Sequence, residues 1–170
     1  MGVAGSKLRG GGSSDDKRPK RAAASAKNDG KSPLKFEIPS DFQHQHEVQT
    51  AILKEVARRG FNSQSTFAIK LALEEAMINA VKHGNKLNPK KKVKIEAKIT
   101  PAQAEIVIED QGPGFDRSSV PDPTKEENLE KCSGRGILLM EAYMNSVRWS
   151  NGGRKVKMIK KNEADVLPRN

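Results

Sequence analysis

Polar and apolar residues alternate with a period of two in five short stretches of the chain. That period places every second side chain on one face of a strand, so the pattern predicts five half-buried β-strands. A short turn at residues 100–103 joins the second and third stretches, and an Asn-Gly-Gly turn at residues 151–153 joins the last two, which predicts two antiparallel hairpins. The five stretches are residues 34–38, 93–99, 104–109, 147–150 and 154–159.

Three other segments repeat their apolar residues at about 100° per residue, as an amphipathic helix does. In the first of them Val48, Ile52 and Val56 share one face. Ser, Asp and Gly residues at the segment ends are typical of helix caps. The predicted bounds, with alternative caps, are Ser40 or Asp41 to Gly60, Ser63 or Ser65 to Gly84, and Gly136 to Met144.

Helices followed by runs of antiparallel strands indicate an α+β fold. We expect a two-layer α/β sandwich with a mixed, mostly antiparallel sheet that helices cover on one face. The length of 170 residues allows one such domain, which we place at residues 34–162. Residues 1–33 contain no Phe, Ile, Trp or Tyr, so they are predicted to form a disordered basic tail, and residues 163–170 a flexible C-terminus.

Charge and composition exclude several classes of protein. No stretch approaches the roughly 20 apolar residues of a membrane span, and a single cysteine, Cys132, excludes an intramolecular disulfide, so we expect a cytoplasmic protein without membrane contact. Half of the formal charge of +10 lies in residues 1–33, which hold eight Lys or Arg and three Asp. This tail and Lys90-Lys91-Lys92 are the only support for nucleic-acid binding. With one Trp and one Tyr the chain lacks a stacking platform, which disfavours that function.

The second helix carries the first candidate site. Glu75, Asn79 and His83 are spaced four residues apart, so they form one row along the edge of its apolar stripe. A carboxylate and a carboxamide held together at the border of a core can bind a hydrated cation and orient a reacting hydroxyl. The alternative is an amphipathic helix with polar flanks. Glu74 points about 100° away and is predicted to be solvated.

Two glycine-rich segments are the other candidates. Asp110-Gln111-Gly112-Pro113-Gly114-Phe115 directly follows a strand, where an aspartate can accept a hydrogen bond from an exocyclic amine and glycines let backbone approach a flat ring. Ser133-Gly134-Arg135-Gly136-Ile137 runs into the third helix, whose free N–H groups can bind phosphate. Taken singly, each segment is also explained as a turn or a capped helix start.

The order of the three segments is more specific than any one of them. Glu75-x-x-x-Asn79, Asp110-x-Gly112-x-Gly114 and Gly134-x-Gly136 resemble the N, G1 and G2 boxes of the histidine-kinase-like ATPases. The longer strings at residues 74–84, 110–115 and 133–140 resemble most closely the small anti-sigma-factor serine kinases of the RsbW and SpoIIAB type. The resemblance covers about residues 34–162 and implies their two-layer sandwich.

The resemblance implies a role for each matching residue. Asn79 would be the Mg²⁺ ligand, Glu75 the catalytic base and Asp110 the acceptor for the adenine amine. A lid formed by residues 116–133 would close over the nucleotide. The remaining ATP-binding residues would be His83, Gly112, Gly114, Ser133, Gly134, Arg135, Gly136 and Ile137.

The resemblance also implies an activity and partners. The protein would use ATP and Mg²⁺ to phosphorylate a serine or threonine of a small anti-sigma-factor antagonist of the STAS type, with a sigma factor as the competing partner. The resemblance is also compatible with a homodimer. Residues 42–57 of the first helix offer only Lys54 as a cation for binding such partners. The alternative is a non-catalytic module that switches a partner when it binds ATP.

Overall fold

The computed structural model describes residues 32–116 and 135–163. The residues outside these ranges are most of the predicted tail, the predicted lid from residue 117 onward with Cys132 and Ser133, Gly134 and the residues after Glu163. Within the two ranges, no helix is long and apolar enough to cross a bilayer. The elements are β1 (Leu34–Pro39), α1 (Phe42–Arg58), α2 (Ser63–Ile78), a π-helical turn (Asn79–Gly84), β2 (Lys92–Ile99), β3 (Gln103–Glu109), α3 (Arg135–Tyr143), β4 (Ser146–Ser150) and β5 (Lys155–Lys161).

The five strands form one sheet in the order β1-β2-β3-β5-β4, and all four neighbouring pairs are antiparallel. The α+β fold, the five strands and both hairpins are therefore confirmed. The prediction of a mixed sheet needs correction, because the part of the sheet that the structure describes contains no parallel pair. The two hairpins account for the antiparallel pairs β2-β3 and β4-β5. A further antiparallel pair, β3-β5, joins the two hairpins.

The two faces of the sheet differ in polarity. Along β2 every second residue is buried, from Val93 to Ile99, while the intervening lysines and Glu96 are exposed. The buried face joins the three helices in one hydrophobic core. On the open face lysines pair with carboxylates, as between Lys157 and Glu105 at 2.9 Å, and such exposed pairs add little stability.

Helix α1 matches its prediction. Asp41 is the N-cap, and its carboxylate accepts a hydrogen bond from the backbone N–H of His44 at 3.0 Å. Val48, Ile52 and Val56 are all buried. Gly60 follows the helix with φ of 74°, a left-handed conformation that glycine adopts without strain.

Helix α2 differs from its prediction at both ends. Asn62 is the cap rather than Ser63 or Ser65, because its side-chain oxygen accepts from the N–H of Ser65 at 2.7 Å. The α-helical hydrogen bonds end at Ile78, and a π-helical turn completes the segment to Gly84. A π-helical turn accommodates one extra residue, which apolar periodicity cannot reveal, and such turns are frequent at functional sites.

Candidate functional site

A cavity of about 420 Å³ lies between α2, the π-helical turn, the start of α3 and the ends of β3 and β5. A depression of about 460 Å³ on the open face of the sheet contains none of the predicted site residues and is lined largely by lysine and glutamate side chains. The first cavity is therefore the candidate site. It is lined by Glu75, Ala76, Ile78, Asn79, Ala80, Lys82, His83, Gly84, Lys86, Ile108, Asp110, Pro113, Gly114, Phe115, Gly136, Ile137, Trp149, Gly153, Arg154 and Val156.

The structure brings most of the predicted site residues together. The predicted residues that line the cavity are Glu75, Asn79, His83, Asp110, Gly114, Gly136 and Ile137. Gly112 and Arg135 do not line it, and Ser133 and Gly134 lie outside the described residues. Gly112 instead packs against Gly84, where an added Cβ would overlap the Gly84 carbonyl. Gly112 thus lets two backbone segments meet.

Glu75 lies against the first turn of α3. An added Cβ on Gly136 would overlap the Glu75 carboxylate in its present position, so glycine allows this close approach. Burial raises the pKa of Glu75, and the negative charge of Glu74 raises it further. A partly buried carboxylate with a raised pKa is well suited to accept a proton. The Glu75 carboxylate also lies beside the N-terminus of α3, and helix N-termini bind anions.

Asn79 begins the π-helical turn, one helical turn after Glu75. Its side-chain amide nitrogen, Nδ2, is buried and has no hydrogen-bond partner among the described residues. Buried polar groups are nearly always paired, so an orphaned amide beside a cavity indicates that a partner is missing. The amide oxygen of the same side chain is of the ligand type that Mg²⁺ prefers.

Asp110 also lines the cavity. Its Oδ1 accepts a hydrogen bond from the Gly112 N–H at 2.7 Å, while Oδ2 has no donor within the described ranges. A Cβ on Gly84 would lie 2.5 Å from the Asp110 carboxyl carbon. Burial raises the pKa of Asp110, against the lowering effects of the Gly112 hydrogen bond and of Arg154 and Lys91.

Three cations in the cavity wall were missed from the sequence. Lys82 and Lys86 flank His83 on the same segment, and Arg154 follows the glycine turn between β4 and β5. Burial lowers the pKa of His83, and the two lysines lower it further, so the imidazole is neutral at pH 7. The two lysines stand on either side of His83 in the sequence, and this placement was a signal from which these cations could have been predicted. Together these cations supply positive charge of the kind that binds a polyphosphate.

An aromatic pair completes the apolar side of the cavity. Phe115 and Trp149 meet edge to face, with ring centroids 4.9 Å apart and an interplanar angle of 75°. Neither was predicted as a site residue, because isolated aromatics in a strand and a turn usually belong to the core. Trp149 is the only tryptophan in the chain, so its fluorescence can report occupancy of the cavity.

Two backbone segments cross at the rim of the cavity. The Phe115 N–H donates to the Gly152 carbonyl at 3.0 Å, which attaches the loop after Asp110 to the β4-β5 turn. Gly152 and Gly153 both have positive φ, at 64° and 83°. A Cβ on Gly153 would overlap the Phe115 backbone, whereas a Cβ on Gly152 would meet no atom within 4 Å.

Gly152 and Gly153 form a matched pair of sites for testing how tightly the β4-β5 turn packs against Phe115. Gly152→Ala should cost about 1 kcal/mol of unfolding free energy, the usual cost of a left-handed alanine. Gly153→Ala should cost roughly 1–3 kcal/mol more, because the backbone of Phe115 must move. Urea denaturation of both variants measures the difference. Equal losses of unfolding free energy in the two variants would show that the β4-β5 turn is not tightly packed against Phe115.

This chain is similar to known proteins in its sequence and in its fold. The sequence profile of the histidine kinase-like ATPase domain family matches residues 38–160. The serine-protein kinase RsbW of Oceanobacillus iheyensis is 29% identical over 124 residues, which cover 69% of this chain and 78% of that protein. An anti-sigma F factor of Clostridium perfringens is 37% identical over 99 residues, covering 55% of this chain and 70% of the relative.

A solved structure extends the comparison to the fold. The crystal structure of the RsbU and RsbW domains of a Mycobacterium tuberculosis protein superposes with a TM-score of 0.53 at 16% sequence identity. The match covers 77% of this chain and 32% of the other chain. At that identity the likeness concerns the fold.

Proposed function

This chain belongs to the histidine kinase-like ATPase domain family, and from that premise we propose that it is a serine/threonine protein kinase that uses ATP and Mg²⁺. The observation that carries the proposal is the joint placement of Glu75, Asn79 and Asp110 in one cavity. The cavity offers a base, a metal ligand and a purine acceptor. The relatives named serine-protein kinase RsbW support the same activity.

Each end of ATP has matching groups. The free Oδ2 of Asp110 is the acceptor for the adenine amine, and Phe115 and Trp149 supply an apolar wall beside it. Lys82 and Lys86 supply positive charge for the triphosphate, and the start of α3 supplies backbone donors. The Asn79 amide oxygen would help to hold Mg²⁺, which prefers oxygen ligands. When bound, the metal offsets the negative charge of the phosphates.

Glu75 would act on the hydroxyl that receives the phosphoryl group. The hydroxyl oxygen forms a bond to the γ-phosphorus, the bond from that phosphorus to the bridging oxygen breaks, and the hydroxyl proton passes to Glu75. The raised pKa of Glu75 keeps its carboxylate basic enough to take that proton. ADP leaves with the bridging oxygen.

The proposed phosphoacceptor is a serine or threonine on a small antagonist protein of the STAS type, and the proposed competing partner is a sigma factor. Support comes from relatives that carry the names RsbW and anti-sigma F factor. A homodimer is compatible with this proposal. The competing function is an interaction module that binds ATP without transferring phosphate.

ATP binding and its dependence on Mg²⁺ provide the first test. Trp149 fluorescence should change on titration with ATP, and Mg²⁺ should tighten the wild-type affinity. Asn79→Ala should remove most of the tightening by Mg²⁺, about tenfold in Kd if one ligand is lost, and leave metal-free binding nearly unchanged. Absence of ATP binding to the wild-type protein would overturn the proposed function.

Phosphoryl transfer provides the second test. The protein should move labelled phosphate from ATP, in the presence of Mg²⁺, to a serine or threonine of an antagonist protein encoded near its own gene. Binding of ATP without transfer to any such protein would favour the non-catalytic module instead.

A further inference from the structure

We propose that Asn85 is a positioning residue that holds Asp110 in place and thereby sets the preference of the site for adenine over guanine. The inference rests on the proposed function, because it concerns how the cavity recognises the base of ATP. Asn85 itself does not line the cavity. It directly follows the π-helical turn.

Asn85 is completely buried, with 0% of its surface exposed. Its Nδ2 donates to the hydroxyl of Ser40 at 2.5 Å and to the carbonyl of Lys92 at 3.0 Å. Its Oδ1 accepts from the backbone N–H of Gln111 at 2.8 Å. One side chain therefore joins three segments that are distant in sequence.

The orientation of this amide is fixed by its partners. The Lys92 carbonyl can only accept and the Gln111 N–H can only donate, so exchange of Oδ1 and Nδ2 would break both bonds. The Gln111 side chain closes the ring, since its Oε1 accepts from the Lys92 N–H at 2.9 Å. Asn85 is buried with both ends of its amide paired, and a satisfied buried amide of this kind specifies one arrangement of the backbone.

The network acts directly on the turn that carries Asp110. Gln111 is the next residue in the chain, so its N–H belongs to the peptide unit that begins at the Asp110 carbonyl. On the other side, Gly84 leaves room for the Asp110 carboxyl group, and Gly112 donates to it. Of these three restraints on Asp110, only the one from Asn85 comes from a side chain of another segment.

Position matters here because the two purines differ at the group that Asp110 would meet. Adenine presents an amine that donates to a carboxylate, and guanine presents a carbonyl that a carboxylate repels. Hydrogen-bond strength falls steeply with distance and angle, so a displaced carboxylate loses discrimination. The proposed contacts to the triphosphate come from Lys82, Lys86 and the start of α3, so they would retain affinity for either nucleotide.

The simplest alternative is that Asn85 only stabilises the fold. Both roles predict a lower Tm for Asn85→Ala, because buried partners lose their bonds. They differ in the ratio of GTP to ATP dissociation constants, which a purely stabilising residue would leave unchanged in the folded protein. The ratio is therefore the deciding measurement.

Full-length wild-type protein, Asn85→Ala, Asn85→Asp and Ser40→Ala would be titrated with ATP and GTP, with Trp149 fluorescence as the readout. We expect the preference for ATP to fall at least about tenfold in Asn85→Ala, the usual effect of one well-placed hydrogen bond. Asn85→Asp keeps an acceptor for the Gln111 N–H and should retain the preference at a lower Tm. Ser40→Ala removes the hydrogen bond between Ser40 and Asn85, which lies away from Gln111, and should also retain the preference for ATP.

An unchanged preference in folded Asn85→Ala, or an equal loss in Ser40→Ala, would overturn the proposal. If Asn85→Ala does not fold, Asn85→Ser, which leaves a smaller void, is judged by the same ratio. Wild-type protein that binds neither nucleotide would refute the proposed function, and this inference with it. Wild-type protein that binds both equally would refute the inference while leaving a nucleotide-binding function standing.

Discussion

Glu75→Gln should lower the rate of phosphoryl transfer by roughly 100- to 10,000-fold and leave the Kd for ATP within about twofold of wild type. Glutamine has nearly the same shape as glutamate and fits the same space beside Gly136, so nucleotide binding is preserved. It cannot accept the hydroxyl proton. Single-turnover transfer assays and Trp149 fluorescence measure the two effects separately.

The same substitution should raise the Tm of the nucleotide-free protein at neutral pH. Burial raises the pKa of Glu75 above its unfolded value, so the folded state favours the protonated carboxyl group. The stability contributed by this group is fully present below the unfolded pKa and is lost as the pH rises through the folded pKa. Glu75→Gln removes that loss, and its advantage in Tm over wild type should therefore grow from pH 4 to pH 8.

Glu74→Gln is the matched control for both measurements. Glu74 is the preceding residue on α2 and is exposed, and it does not line the cavity. Its substitution should leave transfer within about threefold of wild type and change the Tm much less than Glu75→Gln does. A similar loss of transfer in both variants would mean that Glu75 has no special role as a base.

Asp110→Asn should weaken ATP binding by roughly 10- to 100-fold and shift the nucleotide preference toward GTP. The Gly112 N–H is a donor, so it will hold the oxygen of the new amide as it now holds Oδ1. The remaining amide nitrogen then takes the place of Oδ2. This nitrogen donates a hydrogen bond, which opposes the adenine amine and suits the guanine carbonyl.

Calorimetric titration with ATP and with GTP measures this shift. Glu109→Gln is the control, because Glu109 precedes Asp110 but pairs with Lys155 at 3.1 Å and with Asn151 at 2.7 Å, outside the cavity. It should leave both affinities unchanged. Equal weakening of ATP and GTP by Asp110→Asn would place the base of the nucleotide elsewhere.

Local periodicity was enough to predict most of the fold. Strands with one buried face and helices with one apolar stripe repeat at their own periods, and the burial of Val93 and Ile95 or of Val48 and Ile52 follows that pattern. The spacing of Glu75 and Asn79 placed them together because four residues make about one helical turn. Their placement with Asp110 was implied by the family resemblance that the three segments carry, and all three side chains line one cavity.

The missed features depend on contacts between distant segments. Asn85 stands in a loop beside Lys86, where a polar residue is ordinarily a turn former, and its burial arises from Ser40, Lys92 and Gln111. The prediction that Gly112 lines the nucleotide site also lacked information about contacts between distant segments. A glycine in a turn can face a ligand or another backbone, and only the fold reveals that Gly84 is its neighbour.

The π-helical turn also constrains how this segment can change in evolution. The Asn85 N–H bonds to the Ala80 carbonyl, five residues back, so residues 79–84 hold one residue more than an α-helix of the same rise. Deleting the extra residue would restore α-helical winding over the same rise and leave the following residues, Asn85 included, in place. Inserting a further residue would instead rotate the following residues by about 100° and turn Asn85 away from Gln111. Homologous sequences that use this cavity should therefore tolerate the loss of one residue here more readily than the gain of one.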